Sequence, residues 1–411
     1  MPRHEAVVDW AASGVVPVTG HAEGPPLIPP GHAATLARTL GGRIEQLSNG
    51  RVRLDGRRLL AERAALTGGV RRGSMSVGGR CRLLPTADGW AAVSCARPDD
   101  PLLLGALIEE ELTAAPWEGV AGWLAAHSGA ELAARAEMLG VAAAPVRLRD
   151  VPPRLPEPLA RRDVAGLLVV DFSALWAGPL CANLLGLAGA RVVKVETPDR
   201  LDGARQGAAD FYRLLQSGHR SVVIAPETRE GRTVLAGLVR AADIVIEASR
   251  PRALLGFGLD AEAHVATGTT WVSITAAGRA SNRIGFGDDV AAGAGLVAWT
   301  AEGTPVFVGD AIADPLTGLT AAALAMTAPP GGGGVLWDVA MSDVVAATLP
   351  PGIGALPPSR RAVQRPEGWS VRTDRGLVPV AEPTARTVIA EAAAPGAHTA
   401  EVFRELRPAV T

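Results

Sequence analysis

The chain has 411 residues, of which 48% are apolar and 20% are charged, as in a globular protein with a sizeable core and room for two domains. Its formal net charge of −2 argues against a nucleic-acid-binding surface, which would show as a basic stripe. It contains no run of about 18 uncharged apolar residues, so we expect no membrane span, and its N-terminus lacks the layout of a signal peptide.

Residues 1–150 predict a small α+β domain. After a Pro/Gly connection at residues 20–34, the run ATLARTL predicts a helix. The runs RVRLDG, CRLLPTADG and WAAVSCARP predict short strands, with ADG as a hairpin turn. Helices are predicted for PLLLGALIEEEL, WEGVAGWLAAH and GAELAARAEMLG, and Gly140 is a suitable residue to end the last one. A Pro-rich linker at residues 151–163 follows.

Residues 164–345 predict a second, larger domain in which strands alternate with helices. The strand-like runs are LLVVDFS, ARVVKVE, HRSVVI, DIVIEAS, WVSITA and VLWDVA. Alternation of this kind predicts a parallel sheet that is covered on both faces, with its ligand crevice beyond the carboxyl ends of the strands. Residues 346–411 form a short segment that we expect to return to this domain.

Asp314 is the most informative residue of the large domain. It lies between a strand-like run and the small-residue helix start Leu316–Ala325. Free backbone N–H groups and the helix dipole favour an anion at such a place. The local pattern alone is equally typical of an aspartate that caps a helix.

The three cysteines, Cys81, Cys95 and Cys181, include no CxxC pair. An odd number is not a disulfide framework, and the sequence shows no cluster of histidines and cysteines that predicts a metal site. A reducing, cytoplasmic setting fits this cysteine usage.

Several phrases of the chain, in their order, resemble the class III CoA-transferase family, which also contains the 2-methylacyl-CoA racemases. They are DFSALWAGP, GARVVKVETP, HRS, DIVIEASRP and AIADPLTG. The N-terminal part also contributes, because TADGWAAVSCARPDD resembles the start of the family's small domain. That domain comes first here and second in the family, so the resemblance indicates a permuted or truncated form.

The resemblance implies an α/β fold, with a Rossmann-like parallel-sheet large domain and a smaller α+β domain. It implies transfer of coenzyme A between an acyl-CoA thioester and a carboxylic acid through a covalent aspartyl intermediate. Asp314 matches the catalytic aspartate, and Asp310, four residues earlier, is its main competitor. A homodimer without a metal is the expected assembly.

The same resemblance implies the residues that bind CoA. Trp176 and Ala177 match the loop that lines the pantetheine and the thioester. Cations suited to the phosphates are Lys194, Arg220 and Arg250, although each also fits a surface charge, and the alternating pattern of VVKVE would also point Lys194 to solvent. Ala248 and Ser249 stand where the family has Asn-Phe before the last of these arginines.

Two other functions are open to this sequence. A racemase of the family needs a histidine where this chain has Asp288, in the phrase FGDD, so the second base is not an imidazole. A non-catalytic subunit that binds CoA or completes a dimer is the third hypothesis. It is motivated by altered phrases such as Thr275–Arg283, which loses the family's flexible glycines.

Overall fold

The N-terminal part of the chain is helical. The computed structural model describes residues 3–112, 116–249, 251–352 and 356–406. Its first elements are α1 (Arg3–Ala12), α2 (Ala33–Leu47), α3 (Gly56–Leu59) and α4 (Glu62–Thr67). The predicted strand RVRLDG is wrong. The side chain of Asp55 accepts a hydrogen bond from the backbone N–H of Arg57 at 3.1 Å and so caps α3 instead.

A small three-stranded antiparallel sheet follows. Its strands are β1 (Cys81–Thr86), β2 (Gly89–Ser94) and β3 (Ala143–Pro145), and between the last two lie α5 (Asp100–Ile108), α6 (Trp117–Ala126) and α7 (Gly129–Leu139). The predicted hairpin is confirmed, because Thr86 pairs with Gly89 across a two-residue turn. The predicted end of α7 is also confirmed, since Gly140 adopts a left-handed φ of 68°.

The large α/β part contains the elements that position the site. In chain order they are β4 (Ala160–Arg161), β5 (Leu168–Asp171), α8 (Ala177–Leu187), β6 (Arg191–Glu196), α9 (Ala209–Gln216), β7 (Arg220–Val223), α10 (Arg229–Ala241), β8 (Ile244–Glu247), α11 (Pro251–Gly256), α12 (Ala261–Ala266), β9 (Thr270–Thr275), α13 (Gly287–Gly293), β10 (Val297–Trp299), β11 (Pro305–Phe307), α14 (Ala313–Ala325), β12 (Thr327–Ala328), β13 (Val335–Ala340) and α15 (Met341–Ala346).

Six of these strands form one parallel sheet with the order β13-β9-β8-β5-β6-β7. The six predicted strands and the α/β class are therefore confirmed. The direction of winding reverses between β5 and β8, and the carboxyl ends of two such strands open the ligand crevice of a doubly wound sheet. The residues after β5 and β8 are thus placed at the crevice.

The C-terminal segment adds a small antiparallel sheet and one helix: β14 (Val363–Arg365), β15 (Gly368–Thr373), β16 (Gly376–Pro379) and α16 (Thr399–Leu406). The helix α16 packs on α10 and β7 of the large part. Nowhere in the described ranges does a helix have the length and apolar character needed to cross a membrane.

The main core joins the N-terminal helices to the large α/β part. Trp10, Ile44 and Leu60 belong to the same buried cluster as Leu180 and Leu316. Within it, α14 lies against both α8 and α2. Nearly every residue of α14 is buried, because its small alanine and glycine side chains let the neighbouring helices approach closely. The N-terminal helices therefore bring their own side chains close to the start of α14.

Two adjacent glycines of α2 provide a matched test of this packing. A Cβ at Gly41 would lie 2.8 Å from the backbone nitrogen of Gly56, whereas a Cβ at Gly42 would meet no heavy atom within 4 Å. We expect Gly41→Ala to lower the free energy of unfolding by ~1–3 kcal/mol through overpacking. Gly42→Ala should raise it by up to ~1 kcal/mol through helix propensity. Urea denaturation of both variants measures the difference, and shifts of equal sign would contradict the packing of α2 on α3.

Candidate active site

Asp314 is the second residue of α14, directly after a tight turn from β11. In this turn Gly309 has a φ of 66° and Ala311 a φ of 47°, and the latter is a costly conformation for a residue with a side chain. The carboxylate of Asp314 lies against Gly287, where any side chain would collide with it. It accepts no hydrogen bond from the residues that the structure describes. Asp314 is therefore not a capping residue and is free to react.

Asp314 belongs to a group of four aspartates, together with Asp288, Asp289 and Asp310. Asp314 retains partial exposure, but the protein displaces most of the water around its carboxyl. This burial raises the pKa of Asp314 to about 7, against the opposing effect of Arg63 and with the support of the other three carboxylates. Burial likewise raises the pKa of Asp289 to about 7. It raises the pKa of Asp288, with the help of Asp310, to about 6. The carboxyls of Asp288, Asp289 and Asp314 thus exchange protons near neutral pH.

Two of the four aspartates hold the backbone around Asp314. Asp288 Oδ1 accepts a hydrogen bond from the backbone N–H of Ala311 at 2.8 Å and so fixes the turn before α14. Asp289 Oδ1 accepts from Ser94 Oγ at 2.7 Å and from the backbone N–H of Phe286 at 2.9 Å, which caps α13. These hydrogen bonds fix the carboxyls of Asp288 and Asp289 in place, whereas the carboxylate of Asp314 accepts none from the described residues.

Arg63 of α4 is the functional residue that sequence reasoning missed. Its guanidinium donates two hydrogen bonds to the carboxylate of Asp310, with Nε 2.8 Å from Oδ2. It also lies over the indole of Trp176, 5.0 Å from the ring centroid. Its charge lowers the pKa of Asp314. The sequence around it, AERAALTG, carries no motif, and only the packing of α4 brings it here.

The structure brings Trp176 and Ala177 to the same place. Ala177 begins α8, and a Cβ at Gly318 of α14 would lie 2.7 Å from its carbonyl oxygen. Trp176 packs edge-to-face on Phe211 at 5.1 Å. Within the described residues, the buried indole N–H of Trp176 and the hydroxyl of Thr317 have no hydrogen-bond partner. Thr317 lies one helical turn from Asp314, and Trp176 lies under the guanidinium of Arg63, so both unused donors belong to the surroundings of the site.

Lys194 does not point to solvent, so that alternative is wrong. Its side chain is 2% exposed, and its Nζ lies 2.9 Å from Asp202 Oδ2 and donates to the carbonyl oxygen of Ser173 at 2.7 Å. Asp202 Oδ1 in turn accepts from the backbone N–H of Leu175, whose φ is 69°. Helix α8 packs on β6 and covers the face of the sheet on which Lys194 lies. As placed, Lys194 supports the loop that carries Trp176 and does not reach a ligand in the solvent.

The other predicted CoA ligands are not all brought together. Arg220 begins β7, at the amino end of the strand and away from the crevice, and its guanidinium is paired with Glu405 of α16 at 2.8 Å. Ala248 and Ser249 directly follow β8, at the carboxyl edge of the sheet, and Ala248 lies near Gly178 of α8. Arg250 lies outside the described residues. The roles of all four toward CoA stay predictions.

Comparison with known proteins decides the family. The sequence profile of CoA-transferase family III matches residues 164–374, just over half of the chain. The chain belongs to CoA-transferase family III. The matched segment contains Asp314, Trp176 and Lys194, whereas Arg63 lies outside it. Among the described residues, no group of three or more His, Cys, Asp or Glu is arranged to hold a metal ion.

The chain spans 55% and 24% of the lengths of two curated relatives that it matches. The succinate–glutarate CoA-transferase of Agrobacterium fabrum is 31% identical over 226 residues, which are 49% of this chain and 55% of that protein. The formyl-CoA:oxalate CoA-transferase of Escherichia coli is 35% identical over 101 residues, or 22% of this chain and 24% of that one. A CAIB/BAIF family protein from Brucella suis aligns with 51% of this chain and 66% of its own, at 26% identity and a TM-score of 0.45.

The raised pKa of Asp289 makes the stability of this family III protein depend on pH. The folded state holds the proton up to about pH 7, whereas the unfolded carboxyl loses it near pH ~4. The resulting stabilisation is present in acid and is lost as the pH rises through 7. Asp289→Asn keeps the oxygen that accepts both hydrogen bonds. We expect it to be more stable than the wild type at pH 8, by about 4 kcal/mol, and nearly equally stable at pH 4.

Thermal denaturation of the two proteins at pH 4 and pH 8 measures this effect. An Asp289→Asn variant that follows the wild type at both pH values would contradict it. Glu302→Gln is the matched control, because that carboxyl is exposed and its pKa is not raised.

The ion pair below the Trp176 loop gives another prediction. Lys194→Met leaves the buried carboxylate of Asp202 without its cation, so we expect a loss of about 3 kcal/mol in the free energy of unfolding. Lys194→Met combined with Asp202→Asn removes both charges and should recover part of that loss. Urea denaturation followed by tryptophan fluorescence measures both variants. A single variant as stable as the wild type would show that the pair does not support the loop.

Proposed function

We propose that the protein transfers CoA between an acyl-CoA thioester and a carboxylic acid, with Asp314 as the nucleophile. The supporting observation is the carboxylate of Asp314 itself. It lies at the start of a buried helix, within the segment that matches the family, and accepts no hydrogen bond from the described residues. A carboxylate that is not engaged in the fold is available for covalent catalysis.

In the proposed reaction, a carboxylate oxygen of Asp314 attacks the thioester carbonyl and the CoA thiolate leaves, which forms a mixed acyl anhydride. The thiolate then attacks the carbonyl carbon of Asp314 and releases the first acid, which carries away one oxygen of the aspartate. An acceptor carboxylate reverses the two steps and restores the side chain. Coenzyme A enters only as the substrate thioester and leaves as the product thioester.

The neighbours of Asp314 fit this chemistry. A carboxyl with a pKa of about 7 is ionised in a large fraction at neutral pH and is more basic than an ordinary aspartate. Each tetrahedral intermediate needs a donor for its oxyanion. The N–H groups of Thr317 and Gly318, which follow Asp314, lie inside α14, where such groups bond within the helix. We therefore assign this role to the unpartnered hydroxyl of Thr317 or the indole N–H of Trp176.

Asp288 suggests racemisation of an acyl-CoA as a second function. A racemase needs two proton-transfer groups, and burial raises the pKa of Asp288, beside Asp314, to about 6. Exchange of the α-proton of an acyl-CoA in D₂O without CoA transfer would favour this function. The homodimer and the cytoplasmic setting expected from the sequence stay predictions.

Trapping of the covalent intermediate tests the proposal. The protein is incubated with a panel of acyl-CoAs, quenched with hydroxylamine and mapped by peptide mass spectrometry. We expect the hydroxamate on Asp314 and none in Asp314→Asn, because an amide cannot attack the thioester. Asp150→Asn is the matched control, because Asp150 is an exposed aspartate outside the site, and its hydroxamate should still form on Asp314. Unmodified Asp314 across a panel that shows turnover would rule out this mechanism.

A further inference from the structure

The N-terminal part of the chain repeats the segment that leads to Asp314. Residues 9–31 read DWAASGVVPVTGHAEGPPLIPPG, and residues 289–309 read DVAAGAGLVAWTAEGTPVFVG. Both begin with Asp-x-Ala-Ala, continue through a threonine that is followed by Ala-Glu-Gly, and end on a glycine. Agreement in both wording and order indicates an internal duplication. We call residues 9–31 the N-terminal copy.

The structure gives the two segments the same course. The helices α1 and α13 each end shortly before a glycine with a left-handed backbone, Gly14 with a φ of 81° and Gly295 with a φ of 94°. A second left-handed glycine precedes the next helix, Gly31 with a φ of 70° before α2 and Gly309 with a φ of 66° before α14. These two helices pack against each other, so the copies lie side by side.

The N-terminal copy leads to no carboxylate at the position of the nucleophile. Asp314 stands five residues after Gly309, whereas the residue five places after Gly31 is Leu36. Residues 24–44 contain no aspartate or glutamate. The N-terminal copy therefore cannot form a second covalent intermediate of the proposed kind, and its contacts must be sought elsewhere.

Thr19 of the N-terminal copy holds the turn before α14. Its buried Oγ1 accepts a hydrogen bond from the backbone N–H of Gly309 at 3.1 Å and donates to the carbonyl oxygen of Val15 at 2.9 Å. Val15 also packs on Gly309, where an added Cβ would lie 3.2 Å from its Cγ1. The counterpart Thr300 instead accepts the backbone N–H of Thr304 at 3.2 Å, within its own hairpin. One copy thus restrains the other.

The turn that Thr19 holds is strained. Gly309 and Ala311 both have left-handed φ values, and for Ala311 this conformation is costly. Such a turn persists only where its surroundings fix it, and its course sets the direction of Asp314. The hydrogen bond to Thr19 is one of these restraints, and it comes from outside the segment that matches the family. Its loss would leave a buried N–H group without a partner.

We infer that the N-terminal copy is a non-catalytic duplicate of the active-site segment, and that Thr19 within it is a positioning residue for Asp314. The inference rests on the proposed function for the role of Asp314. Thr19 is buried and acts through the turn, which keeps the attacking carboxylate oxygen aligned with the thioester carbonyl. Relaxation of the turn therefore lowers kcat and leaves KM for the acyl-CoA unchanged.

Amide hydrogen exchange tests this restraint without turnover. Thr19→Val removes the hydroxyl and keeps the shape of the side chain. We expect the amide of Gly309, resolved with overlapping peptides, to exchange about tenfold faster in this variant, the effect of one lost hydrogen bond. Thr19→Ser keeps the hydroxyl and should exchange as the wild type does. Exchange in the buried strand β5 reports global unfolding and separates it from loosening of the turn.

Thr300→Val is the matched control, because it removes the same hydroxyl from the other copy. It should loosen the hairpin that contains Thr304 and leave the exchange of Gly309 at the wild-type rate.

The rate at which Asp314 is modified tests the consequence for the reaction. At saturating acyl-CoA, Thr19→Val should form the hydroxamate on Asp314 about tenfold more slowly than the wild type, with an unchanged KM. Thr19→Ser and Thr300→Val should form it at the wild-type rate.

Three results separate this inference from the proposed function. Equal exchange of Gly309 in the wild type and Thr19→Val would overturn the inference even if Asp314 forms its covalent intermediate. Faster exchange of Gly309 with an unchanged rate of modification would overturn it as well. Faster exchange in a protein whose Asp314 is never modified would uphold the restraint by Thr19 and overturn the transfer reaction.

Discussion

The ion pair between Arg63 and Asp310 is the constraint on which the site depends. Four aspartates lie together near the start of α14, and burial raises the pKa of three of them. Burial and repulsion between like charges favour the protonated form of these three carboxyls. Arg63 neutralises Asp310 and lowers the pKa of Asp314. A reactive carboxylate at neutral pH therefore requires a side chain that comes from the N-terminal helices.

The fold is arranged so that this contact forms. The parallel sheet places the β5–α8 loop at its point of reversal, and the buried Lys194–Asp202 pair fixes that loop. The guanidinium of Arg63 lies over the indole ring of Trp176 in this loop. The small residues of α14 let α8 and α2 approach from two sides. Packing, strand order and electrostatics thus converge on one carboxylate.

Much of this fold could be predicted from the sequence, because local patterns encode it. Runs such as Leu168–Asp171 are apolar and β-branched, and their alternation with helices fixes a parallel sheet. The motif around Asp314 and the helix after it predict the residue that we propose as the nucleophile. The hairpin before Gly89 followed from its turn residues.

The rest depends on contacts between distant segments, which leave no local pattern. Arg63 lies 247 residues from Asp310 in the sequence and meets it only because the N-terminal helices share a core with α14. The alternation of VVKVE would suit an exposed Lys194, but helix α8 covers that face and the loop after β6 supplies Asp202. The run RVRLDG predicts a strand that includes Asp55. The hydrogen bond from the backbone N–H of Arg57 to the Asp55 side chain forms only when the following helix does.

One measurement tests the central claim most directly. The protein catalyses the reaction of an acyl-CoA with an acceptor acid whose carboxylate carries ¹⁸O. The mass of the peptide that contains Asp314 is then measured by mass spectrometry. In the proposed reaction one oxygen of the acceptor remains on the aspartate when the product thioester leaves, so the Asp314 carboxylate should gain ¹⁸O with turnover. Turnover that leaves Asp314 unlabelled, or that labels Asp288 or Asp310 instead, would contradict the account.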